Sequence, residues 1–446
     1  MQTKKKPEGR LAILTPGLGA VSTTFMAGVE MIRQGKSKPI GSVTQMGTAR
    51  IGRRDEPNRY VKINELVPLA DIKDIAFGAW DIVSEPGDVV AERSKVLTRE
   101  HLNEIKPYLK TIVPKKGVHD PELVRRLEAD HVKSEKTARE KIEALRQDIR
   151  DFKRDLNAKR AVTVFCASTE VYRSAALNLP PALKDFDKLI DANDPAITPT
   201  MMYAYASICE GVPFINGTPN YSVDLPAIQE LARDKCVPIA GKDFKSGQTM
   251  MKTVLAPALK ARMIGLNGWY STNILGNRDG EVLDDPAAFK SKEVTKSSVL
   301  STILEKDLYP DLYSKYAHKV SIHYYPPRGD DKEGWDNIDI FGWMGYPMQI
   351  KINFLCKDSI LAAPLALDLA LFGDLASRLE WKGIQEWLSF YFKSPMTKPG
   401  LEVENDLFIQ QTKLKNTLRA IAGEEPITHL GLDYYGEDLP LPTAKK

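Results

Sequence analysis

The chain has 446 residues, enough for two domains with large cores, and its 62 basic residues nearly balance its 59 acidic ones. A net charge of +3 gives no overall basic footprint, so we expect neither nucleic acid nor a membrane as a partner. The four cysteines lack metal-ligand spacing, and no signal-peptide core follows the N-terminus, which predicts buried, reduced thiols in a cytoplasmic protein.

A strand, a glycine turn and a helix are predicted near the N-terminus. The apolar run 11–14 leads into "TPGLGAVSTT", and apolar residues then recur at helical spacing. Gly17 and Gly19 match the first two glycines of the dinucleotide-binding fingerprint, whereas Ser22 stands where the third is usual. The turn is therefore a candidate pyrophosphate site, and an ordinary strand-to-helix turn is the alternative.

Further short apolar runs predict a mostly parallel sheet. They occupy residues 75–82, 110–114, 161–167, 212–216 and 236–241 and alternate with helical stretches, as in a sheet covered on both faces. Asp81, at the end of the first of these runs, is a candidate partner for the ribose hydroxyls of a dinucleotide. It lies far beyond the usual offset of about 20 residues from the glycine turn, so an aspartate that caps a turn or a helix is the alternative.

The strongly charged segment from 117 to 160 predicts one amphipathic helix. Its apolar residues recur at spacings of three and four and define a single narrow stripe: Ala138, Ile142, Leu145, Ile149, Phe152 and Leu156. We interpret the charges as a solvated helical face rather than as a surface for nucleic acid.

The pattern changes after residue 265. Aromatic and β-branched runs predict a largely antiparallel sheet, and the segment 359–379, apolar on nearly every side, predicts a buried helix. We therefore predict an α/β fold, with a Rossmann-like, doubly wound, mostly parallel sheet and an inserted α+β domain built on a largely antiparallel sheet. The predicted limits are 10–247 and 360–446 for the nucleotide-binding domain and 248–359 for the insertion.

Polar residues follow three of the predicted strands, in the loops 166–172, 216–220 and 241–249. In an open parallel sheet, ligands bind outside the carboxyl ends of the strands, so these loops should line one crevice. The third loop ends in Ser246, Gly247, Gln248 and Thr249 before a helical run, and these residues are candidates to hold a phosphate. The alternative is that Ser246 or Thr249 simply caps the helix.

Seven segments occur in the order and approximate spacing of the signature segments of one known family. They are "FCASTEVY", "FINGTPN", "DFKSGQT", "NILGNRDG", "FKSKEVTKSS", "CKDSILAAPLALDLALF" and "FKSPMTKPG". On these motifs the chain resembles the inositol-3-phosphate synthases (myo-inositol-1-phosphate synthases) over residues 10–420. The resemblance implies an NAD-dependent isomerase that converts D-glucose 6-phosphate to 1D-myo-inositol 3-phosphate, in the first step of inositol biosynthesis. It also implies a homotetramer built through the inserted sheet.

The chemistry that the resemblance implies accounts for several lysines. A hydride leaves C5 of the substrate, the ketone acidifies a C6 proton, the enolate attacks the C1 aldehyde, and the hydride returns to C5. Clustered lysines with lowered pKa values suit the proton transfers, the oxyanion and the phosphate. The family motifs place the catalytic lysines at Lys292, Lys296, Lys332 and Lys393.

The resemblance also suggests how these lysines divide the work. Lys292 transfers a proton at the C5 hydroxyl, and Lys393 stabilises the C1 oxygen at cyclisation. Lys296 and Lys332 bind the substrate through its phosphate and enolate charges. Asp243 and Asp358 match acidic positions that orient the lysines and the nicotinamide.

The same comparison supplies the cofactor residues. They are Gly17, Leu18, Gly19, Ala20, Val21, Asp81, Ile82, Cys166, Ala167, Ser168, Thr169, Gly217, Thr218, Asp243, Asn277, Arg278, Asp279, Asp358 and Ser359. Three positions depart from the family pattern, because Ser168 and Arg278 stand where Asn is common and Val171 stands where Arg is common. No cluster of residues at metal-ligand spacing is found, so we predict no metal ligands and leave a monovalent or divalent cation open.

Two other functions are compatible with parts of this pattern. One is an ordinary NAD-dependent dehydrogenase that acts on a phosphorylated substrate with net release of NADH. The other is a nucleotide-sensing regulatory or structural protein that has lost turnover. Neither requires four lysines around one phosphorylated substrate.

Overall fold

Seven parallel strands form the main sheet and position the glycine turn. The structure, a computed structural model, describes residues 6–52, 59–172, 178–286 and 299–427. Its strands are β1 (Arg10–Pro16), β2 (Thr48–Ile51), β3 (Arg59–Lys62), β4 (Ile75–Asp81), β5 (Lys115–Lys116), β6 (Ala158–Phe165), β7 (Phe214–Asn216), β8 (Pro238–Gly241), β9 (Gly265–Leu275), β10 (Ala317–Tyr324), β11 (Asp331–Phe341), β12 (Pro347–Lys357) and β13 (Gly383–Ile384).

The order of strands in the main sheet is β13-β8-β7-β6-β1-β4-β5. The central strand β1 pairs in parallel with β4 on one side and with β6 on the other. The direction in which the sheet is built therefore reverses between β1 and β6. Such a reversal opens a crevice at the carboxyl ends of the two strands, which is where dinucleotides bind in this topology. The strands β2 and β3 form a separate antiparallel ribbon.

Helices pack on both faces of the main sheet. The described helices are α1 (Ala20–Arg33), α2 (Val43–Met46), α3 (Ile63–Leu66), α4 (Gly87–Ser94), α5 (Arg99–Leu109), α6 (Ala138–Asp155), α7 (Leu183–Asp191), α8 (Pro199–Cys209), α9 (Pro226–Asp234), α10 (Gln248–Ala261), α11 (Arg278–Leu283), α12 (Pro310–Tyr313), α13 (Asp358–Arg378) and α14 (Leu407–Ala422). Along β1, Leu11 and Ile13 join the core beneath α1 and α13, whereas Ala12 and Leu14 join the core beneath α6 and α8. Burial on both faces explains why β1 is a continuous apolar run.

The predicted amphipathic helix is α6. Thr137 accepts a hydrogen bond from the backbone N–H of Glu140, and the Glu140 carboxylate accepts one from the backbone N–H of Thr137. This capping box fixes the start of the helix. The predicted stripe from Ala138 to Phe152 is buried in the sheet core, and Leu156 packs against it.

The predicted buried helix is α13. It is long and apolar enough to cross a membrane by length and composition alone, but 72% of its apolar window is buried inside the protein. It packs against α1 and carries Leu369, Leu371 and Phe372 into the core with no exposed surface. Its apolar character is therefore explained by a position in the protein core.

The second sheet has the order β10-β9-β11-β12. As predicted it is largely antiparallel, because β11 pairs with β9 and with β12 in that sense. The pair β9–β10 is parallel, which the sequence did not predict. More than 40 residues separate these two strands, and a connection of that length permits a parallel return. One face of the sheet packs on Leu259 of α10 and on Leu300 and Ile303.

Two expectations about the fold are wrong, namely the strand at 110–114 and the burial of the cysteines. The strand expected at 110–114 is the end of α5, where Lys110, Thr111 and Ile112 donate their backbone N–H groups to carbonyls three or four residues back. The strand β5 begins only at Lys115, and it is two residues long. All four cysteines are free, as expected, but they are not buried as expected, because Cys236 is exposed in the turn after α9 and Cys166, Cys209 and Cys356 are only partly buried. The remaining predicted strands of the main sheet are confirmed, and the domain limits stay a prediction.

Candidate active site

A cleft of about 490 Å³ lies at the carboxyl ends of the main-sheet strands. Its walls include the turn after β1, the loops after β6, β7 and β8, and residues 276–279 that follow β9 of the second sheet. The cleft brings together these sequence-predicted residues: Gly17, Leu18, Gly19, Ala20, Val21, Asp81, Ile82, Cys166, Ala167, Ser168, Thr169, Gly217, Thr218, Asp243, Ser246, Asn277, Arg278, Asp279, Asp358, Ser359 and Lys393.

The glycine turn approaches the neighbouring loop too closely for a side chain. Gly17 has φ +89°, and a Cβ atom there would lie 2.5 Å from Cα of Ala167. A Cβ atom on Gly19 would meet nothing within 4 Å, so this side of the turn is open. Gly19 precedes α1, whose first turn has no side-chain cap. The uncapped N–H groups and the open turn fit the pyrophosphate of a dinucleotide.

Asp81 holds the glycine turn from the end of β4. Its Oδ2 accepts a hydrogen bond from the N–H of Leu18 at 2.6 Å, and its Oδ1 accepts one from the N–H of Val83 at 2.9 Å. Burial raises the pKa of this carboxyl above its usual range, although both N–H donors act in the opposite direction. Asp81 is thus a turn aspartate, as in the alternative, and it also lines the cleft where an adenosine ribose is expected.

Lys393 and Asp243 meet because two distant segments pair. The N–H of Lys393 donates to the carbonyl of Asp243, and the N–H groups of Lys242 and Lys245 donate to the carbonyls of Ser394 and Tyr391. This pairing places Nζ of Lys393 2.8 Å from Oδ1 of Asp243. Both side chains are at least nine-tenths buried, so the ion pair is well shielded from water.

Lys332 and Asp358 form a second, partly buried ion pair, with side chains 11% and 23% exposed. Nζ of Lys332 lies 3.0 Å from Oδ2 of Asp358, while Oδ1 of Asp358 accepts a hydrogen bond from Oγ of Ser246 at 2.8 Å. Burial raises the pKa of Asp358, but the charges of Lys332 and Lys393 outweigh burial and hold that pKa well below its usual range. The ionised form of Asp358 is therefore favoured, and its carboxylate holds Lys332.

The expected lowering of lysine pKa values is wrong for Lys332. Burial lowers the pKa of this ammonium group, but the nearby Asp358 and Asp279 carboxylates raise it more, and the net shift is upward. A carboxylate within hydrogen-bond distance favours the charged form. The charged form of Lys332 is therefore favoured, which suits the binding of negative charge.

The predicted phosphate-binding residues divide between the cleft and the second sheet. Ser246 lines the cleft, and α10 starts after Gly247 with no side-chain cap, so neither Ser246 nor Thr249 caps the helix. The amide of Gln248 donates to the carbonyl of Trp335 at 3.0 Å and accepts a hydrogen bond from Asn273. Gln248 thus ties α10 to the second sheet. Lys292 and Lys296 lie outside the described residues.

Sequence reasoning missed two buried acids at this site. Glu170 lines the cleft and accepts hydrogen bonds from N and Oγ1 of Thr200 at 3.0 and 2.7 Å. Asp330 is 2% exposed and contacts Asn277 and Ser359. The sequence did offer a signal for each acid, because Glu170 lies within the motif "FCASTEVY" and Asp330 lies two residues before Lys332. Within the described ranges, no group of three or more His, Cys, Asp or Glu side chains is arranged to hold a metal ion.

A family model described as myo-inositol-1-phosphate synthase matches residues 11–419. The chain belongs to this family. An inositol-3-phosphate synthase 1 from Bacteroides thetaiotaomicron is 52% identical to it, covering 96% of this chain and 99% of that protein. An inositol-3-phosphate synthase 1 from Oryza sativa subsp. japonica is 32% identical, covering 95% of this chain and 88% of that protein. The predicted family is thereby confirmed.

Solved structures of the family share the whole fold. An inositol-3-phosphate synthase from Caenorhabditis elegans matches with a TM-score of 0.90 at 28% identity, covering 98% of this chain and 90% of that chain. A myo-inositol-1-phosphate synthase-related protein from Thermotoga maritima matches with a TM-score of 0.73 at 25% identity, covering 94% of this chain and 100% of that chain. The predicted α/β fold class, with its parallel sheet and separate second sheet, is confirmed.

Proposed function

We propose that this chain is an isomerase that converts D-glucose 6-phosphate to 1D-myo-inositol 3-phosphate with NAD as a cofactor that is regenerated in each cycle. The observation that carries the proposal is the arrangement of two lysine–aspartate pairs, the buried Lys393–Asp243 and the partly buried Lys332–Asp358, beside a dinucleotide cleft in a chain of this family. Cations held at the end of a cofactor cleft suit a substrate that carries a phosphate and passes through an enolate.

The residues of the cleft fit NAD. The uncapped first turn of α1 and the open side of Gly19 would hold the pyrophosphate, and Asp81 would accept hydrogen bonds from the adenosine ribose. When bound, NAD supplies a hydride acceptor that oxidises the substrate and later reduces it. Ser168, Thr169 and Thr218 line the cleft beyond the turn, where the nicotinamide would be oriented.

We assign the described lysines to charge stabilisation. Lys332 stays protonated beside Asp358, so it would bind the substrate phosphate or the enolate oxygen. Lys393 lines the cleft beside Asp243 and would stabilise the C1 oxygen as the ring closes. Family likeness leaves the proton transfer at the C5 hydroxyl to Lys292, with Lys296 as a further contact for negative charge.

Product identification tests the proposal. Purified protein incubated with NAD and glucose 6-phosphate is expected to form an inositol phosphate while the absorbance at 340 nm stays flat. Steady accumulation of NADH with an oxidised sugar phosphate would instead support the alternative, an NAD-dependent dehydrogenase. NAD binding without any product would support a nucleotide-sensing protein.

We also infer a cytoplasmic homotetramer assembled through the second sheet. The 3₁₀ turn between β11 and β12 exposes Trp343 by 90% and Met344 by 78%, and Tyr346 next to it is 66% exposed. Large apolar side chains grouped on a surface are typical of protein interfaces. Light scattering at micromolar concentration is expected to give the mass of four chains, and Trp343→Asp is expected to reduce it. A monomer mass for the unchanged chain would contradict the inference.

A further inference from the structure

Asp330 is a buried carboxylate directly behind the wall of the cleft. Its Oδ1 accepts hydrogen bonds from Nδ2 of Asn277 at 2.9 Å and from Oγ of Ser359 at 2.8 Å. Its Oδ2 accepts a third hydrogen bond, from the backbone N–H of Ser359 at 3.2 Å. Asn277 and Ser359 are among the residues that line the cleft, whereas Asp330 is not. One carboxylate therefore joins the turn before α11 to the first turn of α13.

The hydrogen-bonding groups around Asp330 define its role. All three contacts are donors, and an ionised carboxylate is the group that accepts from three donors at once. Burial raises the pKa of Asp330 above its usual range, the nearby Asp358 carboxylate acts in the same direction, and the hydrogen bonds from Asn277 and Ser359 offset only part of this rise. Because a buried carboxylate is costly to leave unbonded, both partners are held firmly.

The two partners of Asp330, Asn277 and Ser359, lie in segments that the family motifs place at the cofactor. The amide of Asn277 is fixed from two sides, since its Oδ1 accepts a hydrogen bond from the N–H of Gly280 at 3.0 Å while its Nδ2 binds Asp330. Asp279, two residues later, lines the cleft. Ser359 directly follows Asp358, whose carboxylate binds Lys332. A shift of Asp330 would therefore move two walls of the cleft together.

We propose that Asp330 is a positioning residue for the cofactor, which holds the turn 276–279 against the start of α13 so that both present their cleft-lining groups to NAD. The inference rests on the proposed function in taking NAD as the cofactor of this cleft. Asp330 touches neither cofactor nor substrate in this account, and it acts through Asn277 and Ser359.

The direct test is the dissociation constant of NAD, measured by isothermal titration calorimetry on the full chain without substrate. Asp330→Asn presents an N–H donor to at least one donor of the present network, and we expect NAD binding to weaken by about 10-fold or more. Asp331→Asn is the matched control, because Asp331 is 45% exposed and pairs at the surface with Lys357. We expect the control to bind NAD within about twofold of the unchanged chain.

A conservative variant separates positioning from a general loss of folding. Asp330→Glu keeps an ionised carboxylate, which accepts from the donors of Asn277 and Ser359 and leaves the net charge unchanged. We expect this variant to bind NAD at least about threefold more tightly than Asp330→Asn. If Asp330→Asn fails to fold, as judged by circular dichroism, Asp330→Ser replaces it in this comparison.

Three results are decisive. Asp330→Asn that binds NAD as tightly as the unchanged chain would overturn the inference. A folded Asp330→Glu variant that binds NAD no more tightly than the uncharged variant would also overturn it. An unchanged chain that does not bind NAD at all would overturn the proposed function itself, which distinguishes that failure from a loss confined to the variants.

Discussion

The buried pair Lys393–Asp243 allows stability and catalysis to be separated. Nζ of Lys393 lies 2.8 Å from Oδ1 of Asp243, and the two side chains are 9% and 5% exposed. Lys393→Met keeps the apolar stem and removes the charge, so the buried carboxylate loses its lysine. Removing one partner of a buried ion pair costs about 3–5 kcal/mol. We expect the lower end, about 3 kcal/mol, because Asp243 has further interactions.

A double variant isolates the catalytic part of the effect. Lys393→Met/Asp243→Asn removes both charges, and Asn tolerates the left-handed backbone of residue 243, whose φ is +64°. We expect its free energy of unfolding to return to within about 1 kcal/mol of the unchanged chain. Its rate of inositol phosphate formation should stay at least about 100-fold reduced, because the cation at the cleft is still missing.

The assays are urea unfolding followed by circular dichroism and quantification of inositol phosphate under NAD and substrate saturation. Lys398→Met, at an exposed lysine five residues along the chain, is the control and should change neither quantity. Two results would refute the reasoning. One is product formation by Lys393→Met within about threefold of the unchanged chain, and the other is a double variant as unstable as the single one.

Two further predictions concern the glycine turn and a buried lysine. Gly19→Ala should keep the thermal midpoint, since its Cβ meets nothing within 4 Å, but it should weaken NAD binding in calorimetry. Gly17→Ala, at φ +89° and against Ala167, should lower both the thermal midpoint and the NAD affinity. Unchanged NAD affinity in Gly19→Ala would contradict the assigned pyrophosphate site. Burial lowers the pKa of Lys252 from 10.5 to about 8. Between pH 8 and pH 10.5 the unfolded chain therefore binds one proton more than the folded chain, and the free energy of unfolding rises by up to about 3 kcal/mol as the pH increases across this range. Lys252→Met should lose this rise, which urea unfolding at pH 7 and 10.5 measures, and equal pH dependence of the two chains would count against it.

The sequence predicted the elements whose signal is local. The run 11–14 is apolar because β1 is buried on both faces, and the stripe on α6 has the helical period because one face packs on the sheet. The strand β5 could not be predicted, because two residues carry no periodicity and the adjacent apolar Ile112 belongs to the end of α5. The parallel pairing of β9 and β10 depends on a long crossover, which no local pattern encodes.

The residues of the candidate site could be predicted from the sequence motifs, but the contacts between them could not. Lys393 and Asp243 are 150 residues apart, and only the pairing of their two segments brings them together. The long offset of Asp81 from the glycine turn arises because α2, β2, β3 and α3 are inserted before β4. The pKa of Lys332 was expected to fall because lysines cluster. It rises instead because of the carboxylate of Asp358, which lies on another element and so could not be paired with Lys332 from the sequence.

Isotope retention tests the central claim most directly. Glucose 6-phosphate carrying deuterium at C5 is incubated with the protein and NAD, and the product is examined by NMR and mass spectrometry. Because the isomerase returns the deuteride that NAD takes from C5 to the same carbon, we expect an inositol phosphate that keeps the deuterium, with no accumulation of reduced NAD. A product that has lost the deuterium, together with stoichiometric formation of deuterated NADH, would contradict the account and support a dehydrogenase.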